Sequence, residues 1–170
     1  MIEATPICPQ YRFTVPVAQL NHVTACHRSL LMEDGVRPDT LPLPLPVVLA
    51  PPGQPVPRIP FGVIEDVAIG SGRLWASGVL HSQDDIALRD WVGALRLGSA
   101  AFALDLDQTE SQTINAGDRQ IRVFTHWRLT GLTVRLGAPI WTAPGDIDIK
   151  PMTSMERRTW HPKTRETEPR

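Results

Sequence analysis

Residues 60–80 read Pro60-Phe61-Gly62-Val63-Ile64-Glu65-Asp66-Val67-Ala68-Ile69-Gly70-Ser71-Gly72-Arg73-Leu74-Trp75-Ala76-Ser77-Gly78-Val79-Leu80, and this stretch decides the fold class. Phe61 to Ile69 is rich in β-branched residues, which pack well on a pleated surface. Gly70-Ser71-Gly72 supplies a turn, and Leu74 to Leu80 completes a β-hairpin. The period then changes. Leu88, Trp91, Val92 and Leu95 fall at i, i+3, i+4 and i+7, so the spacing predicts a helix over about Gln83 to Leu97. Ser82 with Asp85 fits an acidic capping box, and Gly98 supplies the stop.

Downstream, Phe102, Leu104 and Leu106 alternate with Ala103, Asp105 and Asp107, giving a strand with one apolar face. The polar stretch Gln108 to Asp118 reads as a loop. Ile121 to Trp127 alternates again, and Leu132 to Leu136 is a further short strand before Gly137-Ala138-Pro139. Upstream, nine of the 17 prolines lie between Pro38 and Pro60. Pro42, Pro44 and Pro46 alternate with Leu41, Leu43 and Leu45. Each proline fixes its own φ and keeps the residue before it out of the helical region, so this segment is extended, as polyproline II or an edge strand. It reads either as a docking ligand for a proline-recognising groove or as a lead-in strand whose leucines cover the core.

The predicted architecture is α+β. It has residues 1–40 as an N-terminal region, residues 41–141 as a small β-rich core with one principal helix, and residues 142–170 as an extended C-terminal arm. In the first region a short strand is expected at Tyr11 to Val17 and a helix near Ala18 to Met32. The arm is polar yet carries Ile147, Ile149, Met152 and Trp160, so it is either mobile or ordered on a partner.

Composition narrows the function. With 42% hydrophobic and 21% charged residues the chain is neither disordered nor membrane-spanning. Met1-Ile2-Glu3 does not open a secretory signal pattern. A net charge of -1 lacks the basic excess of a phosphate-backbone binder, so no direct nucleic-acid contact is expected. Cys8 and Cys26 are too few for a disulfide framework, and whether they pair stays open. His22, Cys26 and His27 lack the spaced pairs of a zinc site, so no metal or other cofactor is expected.

The "PxGxIxDV" stretch at Pro60–Val67, the "GRLxAxGVL" stretch at Gly72–Leu80, the following helix, Phe102–Asp107 and Leu132–Pro139 resemble the capsid maturation (prohead) proteases of tailed bacteriophages. The resemblance covers about residues 41–141. It implies a barrel-like serine protease domain that cleaves scaffold and capsid protein. The family's nucleophilic serine matches Ala103, and a methyl group cannot attack a carbonyl. The family's histidine has no counterpart in Val48-Leu49-Ala50-Pro51-Pro52-Gly53.

Two functions follow. One is a virion structural protein, made in the host cytoplasm, that binds the major capsid protein, and also itself as a homo-oligomer, as a decoration, cement or minor capsid protein. Pro42, Pro44, Pro46, Trp141, Ile147, Ile149 and Trp160 are its candidate contacts. The other is an active protease with a relocated triad, for which Ser99, His81 and Asp105 are the candidates, with Ser77 and His126 as substitutes.

Overall fold

A computed structural model describes residues 8–24, 29–51, 59–137 and 147–165. Its strands are β1 (Tyr11–Gln19), β2 (Ser29–Leu31), β3 (Leu45–Leu49), β4 (Ile59–Gly70), β5 (Arg73–Leu80), β6 (Ala100–Ala116), β7 (Arg119–Leu136) and β8 (Asp148–Pro151). The α-helices are α1 (Asp85–Leu97) and α2 (Ser154–Thr159), and single 3-10 turns lie at Glu33–Gly35 and Pro38–Thr40. All eight strands form one sheet, so the α+β class stands.

The β4–β5 hairpin turns through Ser71 (φ 54°) and Gly72 (φ 70°), the pair of left-handed residues that a two-residue turn with the right strand twist requires. β5 pairs antiparallel with β4 on one side and β1 on the other. β8 extends the sheet beyond β1. At the other end, β6 and β7 form a long hairpin. The second edge of β7 is shared end to end by β2, opposite Arg122–Phe124, and β3, opposite Leu132–Val134.

The sheet is open, which corrects the barrel expectation. Among the described residues β6 pairs only with β7. The two ends nevertheless meet through side chains, with the Phe13 and Phe102 rings stacked at 5.3 Å. Helix α1 also bridges the ends. Its Leu88, Val92 and Leu95 are buried in the core, and its Arg96 guanidinium donates to the Ile149 carbonyl of β8 at 2.6 Å. The helix starts later than Ser82 suggests: Asp84 is the N-cap and accepts from the Ile86 and Ala87 amides. Gly98 ends it at φ 83°.

Four local expectations need correction. Among the described residues no helix follows Ala18: β1 runs on to Gln19, Asn21 turns at φ 57°, outside the helical region, and β2 follows residues 25–28, which lie outside the described part. The Gln108–Asp118 stretch is not a loop, because β6 continues to Ala116 and turns tightly at Gly117 (φ 68°) and Asp118. The two strands expected over Ile121–Trp127 and Leu132–Leu136 are one strand, β7. Finally, β3 is not an edge strand. Pro46 is its only proline, and pairing with β7 starts at Val47, where backbone N–H groups resume.

The C-terminal segment packs on its own chain. After β8, Met152 is buried, and α2 is held by a capping box between Thr153 and Glu156. That box, together with Arg12 nearby, keeps the Glu156 carboxyl below its ordinary range. The Trp160 indole N–H donates to Glu65 of β4. Arg165 pairs backbone to backbone with Leu43 and donates from its side chain to the carbonyls of Leu41 and Pro38. Residues 147–165, β8 included, therefore strap β1, β4 and the lead-in to β3 together. Val79 of β5 alternates with the core-facing Ala76 and Leu80 side of its strand, yet it is fully buried.

Candidate functional site

The position that matters most is Ala103, in the middle of β6. Ala100, Phe102 and Leu104 join the core cluster, so Ala103 and Asp105 point away from it. Both are half-buried. Across the ladder Ala103 faces Thr133, and Asp105 faces Gly131. The Thr133 hydroxyl, on a residue only 6% exposed, donates to the Asp105 carboxylate at 2.7 Å. Gly131 has no side chain for a reason: a Cβ there would lie 2.6 Å from the Pro46 carbonyl oxygen of β3. Among the described residues, the ladder beside Ala103 thus brings a carboxylate and a hydroxyl into one hydrogen bond. No histidine stands opposite Ala103 or Asp105 in the register with β7.

The relocated candidates do not assemble. Ser99 lies just after α1, where its hydroxyl donates to the Ala94 carbonyl at the helix end. His81 lies just before α1, so the helix, about 20 Å long at 1.5 Å per residue, separates the two. Asp105 lies six residues beyond Ser99 in extended chain, again about 20 Å at 3.3 Å per residue. His126 is exposed and pairs with Glu110 at 2.8 Å. Ser77 sits opposite Asp66 on one side and Thr14 on the other, with no histidine in either register position.

Burial holds the His81 imidazole below its ordinary value of 6.5. The unfolded chain therefore binds this proton at a higher pH than the folded chain does. Stability falls as pH drops through 6.5 and goes on falling until the folded value is passed. Urea midpoints measured between pH 7.5 and pH 5 should show this decline, and His81→Gln should flatten it.

Of the proposed contact residues, Pro44 and Pro46 are exposed and Pro42 is half-buried, while Leu41, Leu43 and Leu45 are buried beneath them. The lead-in strand is what forms. Ile149 is 4% exposed within the core cluster, and Ile147 packs against that cluster. Trp160 lies on Glu65 of its own chain. These three residues fill intramolecular roles. Trp141 and Cys26 lie outside the described residues, and with them the question of a Cys8–Cys26 pair; Cys8 itself is exposed.

Two features escaped the sequence reading. One is the Arg12–Glu65–Trp160 cluster, where Glu65 has a side chain only 7% exposed and lies 4.0 Å from the Arg12 guanidinium. A glutamate inside an apolar β-branched run was its only signal. The other is the outer half of the β6–β7 hairpin, a two-stranded ribbon whose residues 110–120 are all exposed. Among the described residues no group of acidic, histidine or cysteine side chains could hold a metal, and no helix is long and apolar enough to cross a membrane. A scan against protein-family models and a search of the curated proteins found no match for this chain.

Proposed function

We propose that this protein is a phage virion structural protein, a protease-like fold without chemistry that binds the capsid shell as a decoration, cement or minor capsid protein. The observation that carries the reading is Ala103: the position that resembles the family's nucleophile bears a methyl group, and the hydroxyl nearest in the ladder, on Thr133, is bound to Asp105. A binding role also suits the exposed surface. The ribbon projects polar and charged side chains, and Pro44 and Pro46 lie exposed beside the lead-in to β3. The proposed partner is the major capsid protein, and the strap keeps the sheet rigid beneath that contact. Rigid surfaces bind with less ordering cost than mobile arms do.

Co-sedimentation with shells assembled from the cognate major capsid protein tests the reading. The expected result is saturable binding at a fixed ratio, with both proteins intact. Cleavage of scaffold or capsid protein in the same mixture would overturn it.

A further inference from the structure

Among the described residues, the outer half of β6 is a sheet edge whose second side no strand covers. Natural edges are blunted by lysine, proline, inward charges or bulges. The inner half of β6 follows that rule: it carries Asp105, Asp107 and Glu110, and its register with β7 shifts after Asp105, Gln108 and Glu110. From Ser111 onward every device stops. Ser111-Gln112-Thr113-Ile114-Asn115-Ala116 has no charge, no proline, no glycine and an unbroken register opposite Phe124 to Arg119. All six residues are exposed, and β7 is the only described strand paired with them. A neutral six-residue segment containing threonine and isoleucine, presented as a free edge, is built for strand pairing.

We propose that this edge pairs antiparallel with the same edge of a second copy of the chain, making one continuous sheet across a two-fold axis. The charge pattern selects this occupant. A two-fold axis perpendicular to the sheet keeps the same faces together, so the residue on the axis meets itself. With Thr113 on the axis, Gln112 lies opposite Ile114, Ser111 opposite Asn115, and Glu110 opposite Ala116. No two like charges face each other, and Thr–Thr is a favourable cross-strand pair. A parallel pairing in register would instead set Glu110 against Glu110. The two-fold arrangement uses the edge on both copies, so it stops at a dimer and does not grow into a fibre. This proposal is independent of the shell-binding reading, since it concerns the isolated protein.

Sedimentation equilibrium of the full chain over a hundredfold concentration range tests it. The expected result is a reversible shift from 18.8 kDa to about twice that mass. Thr113→Lys should weaken the dimer at least tenfold by setting two ammonium groups opposite each other, while the exposed Arg122 opposite it on β7 lowers the melting temperature of the monomer only slightly. Gln120→Lys, which adds the same charge to the ribbon on β7, should leave the dimer intact. As a measurement on the unaltered protein, amide hydrogen exchange should slow within Ser111–Ala116 only at the higher concentration. A wild-type chain that stays monomeric throughout, with the edge open to a foreign peptide, would overturn the proposal, and so would a dimer unaffected by Thr113→Lys.

Discussion

Gly78→Ala is expected to prevent stable folding. Gly78 sits mid-strand in β5, paired with Ile64 of β4 and Phe13 of β1. A Cβ there would lie 2.0 Å from the Val63 carbonyl oxygen and 3.0 Å from the Ile64 Cα. Both obstacles are backbone atoms, so no rotamer change relieves the clash, and the central β4–β5 ladder has to open. A cost of about 4 kcal/mol or more follows, against a total stability of about 5–15 kcal/mol. The variant should be largely insoluble on expression or lack a cooperative thermal transition. Gly93→Ala is its control, because nothing lies within 4 Å of a Cβ at that helical site. Alanine there should raise stability by about 0.5–1 kcal/mol. A Gly78→Ala protein melting at the wild-type temperature would refute the β4–β5 register.

Trp160→Ala should release the strap. The substitution removes a large aromatic side chain and also leaves the buried Glu65 carboxylate with only the Arg12 guanidinium at 4.0 Å. Loss of packing and of a charge-assisted hydrogen bond together cost about 3 kcal/mol. For a chain of this size that is about 10 °C in melting temperature. Trp160→Phe separates the two contributions. It keeps most of the packing, leaves Glu65 without its donor, and should cost about 1–2 kcal/mol. Limited trypsin digestion reads strap release directly: cleavage after Arg157, Arg158 or Lys163 should speed up strongly in the alanine variant and mildly in the phenylalanine variant. Equal digestion of all three proteins would mean that Trp160 does not hold the segment down.

The hairpin at 59–80 and helix α1 were legible in the sequence because their signals are local: a Gly-Ser-Gly turn between β-branched runs, and an apolar stripe at helical spacing. The leucines of the proline-rich segment were legible for a similar reason, since the prolines permit only extended backbone there. The ribbon was not legible. Its outer half has no apolar face to create a period, and its order comes from backbone pairing with a strand that follows the turn. The strap escaped for a related reason: β8 is four residues long, too short for alternation to register, and Trp160 finds its partner 95 residues away. The expected helix after Ala18 failed at Asn21, whose left-handed backbone no periodicity reveals. At the candidate site the missing serine was plain from Ala103. The bond between Thr133 and Asp105 was not, because it joins two strands whose register the sequence does not state.

The most direct test of the proposed structural role is the intact mass and copy number of this chain in purified mature particles, measured against the major capsid protein. An uncleaved chain at a fixed ratio to the shell is the expected result. Absence from mature particles, or presence only in immature heads and as fragments, would contradict it and return attention to a proteolytic role.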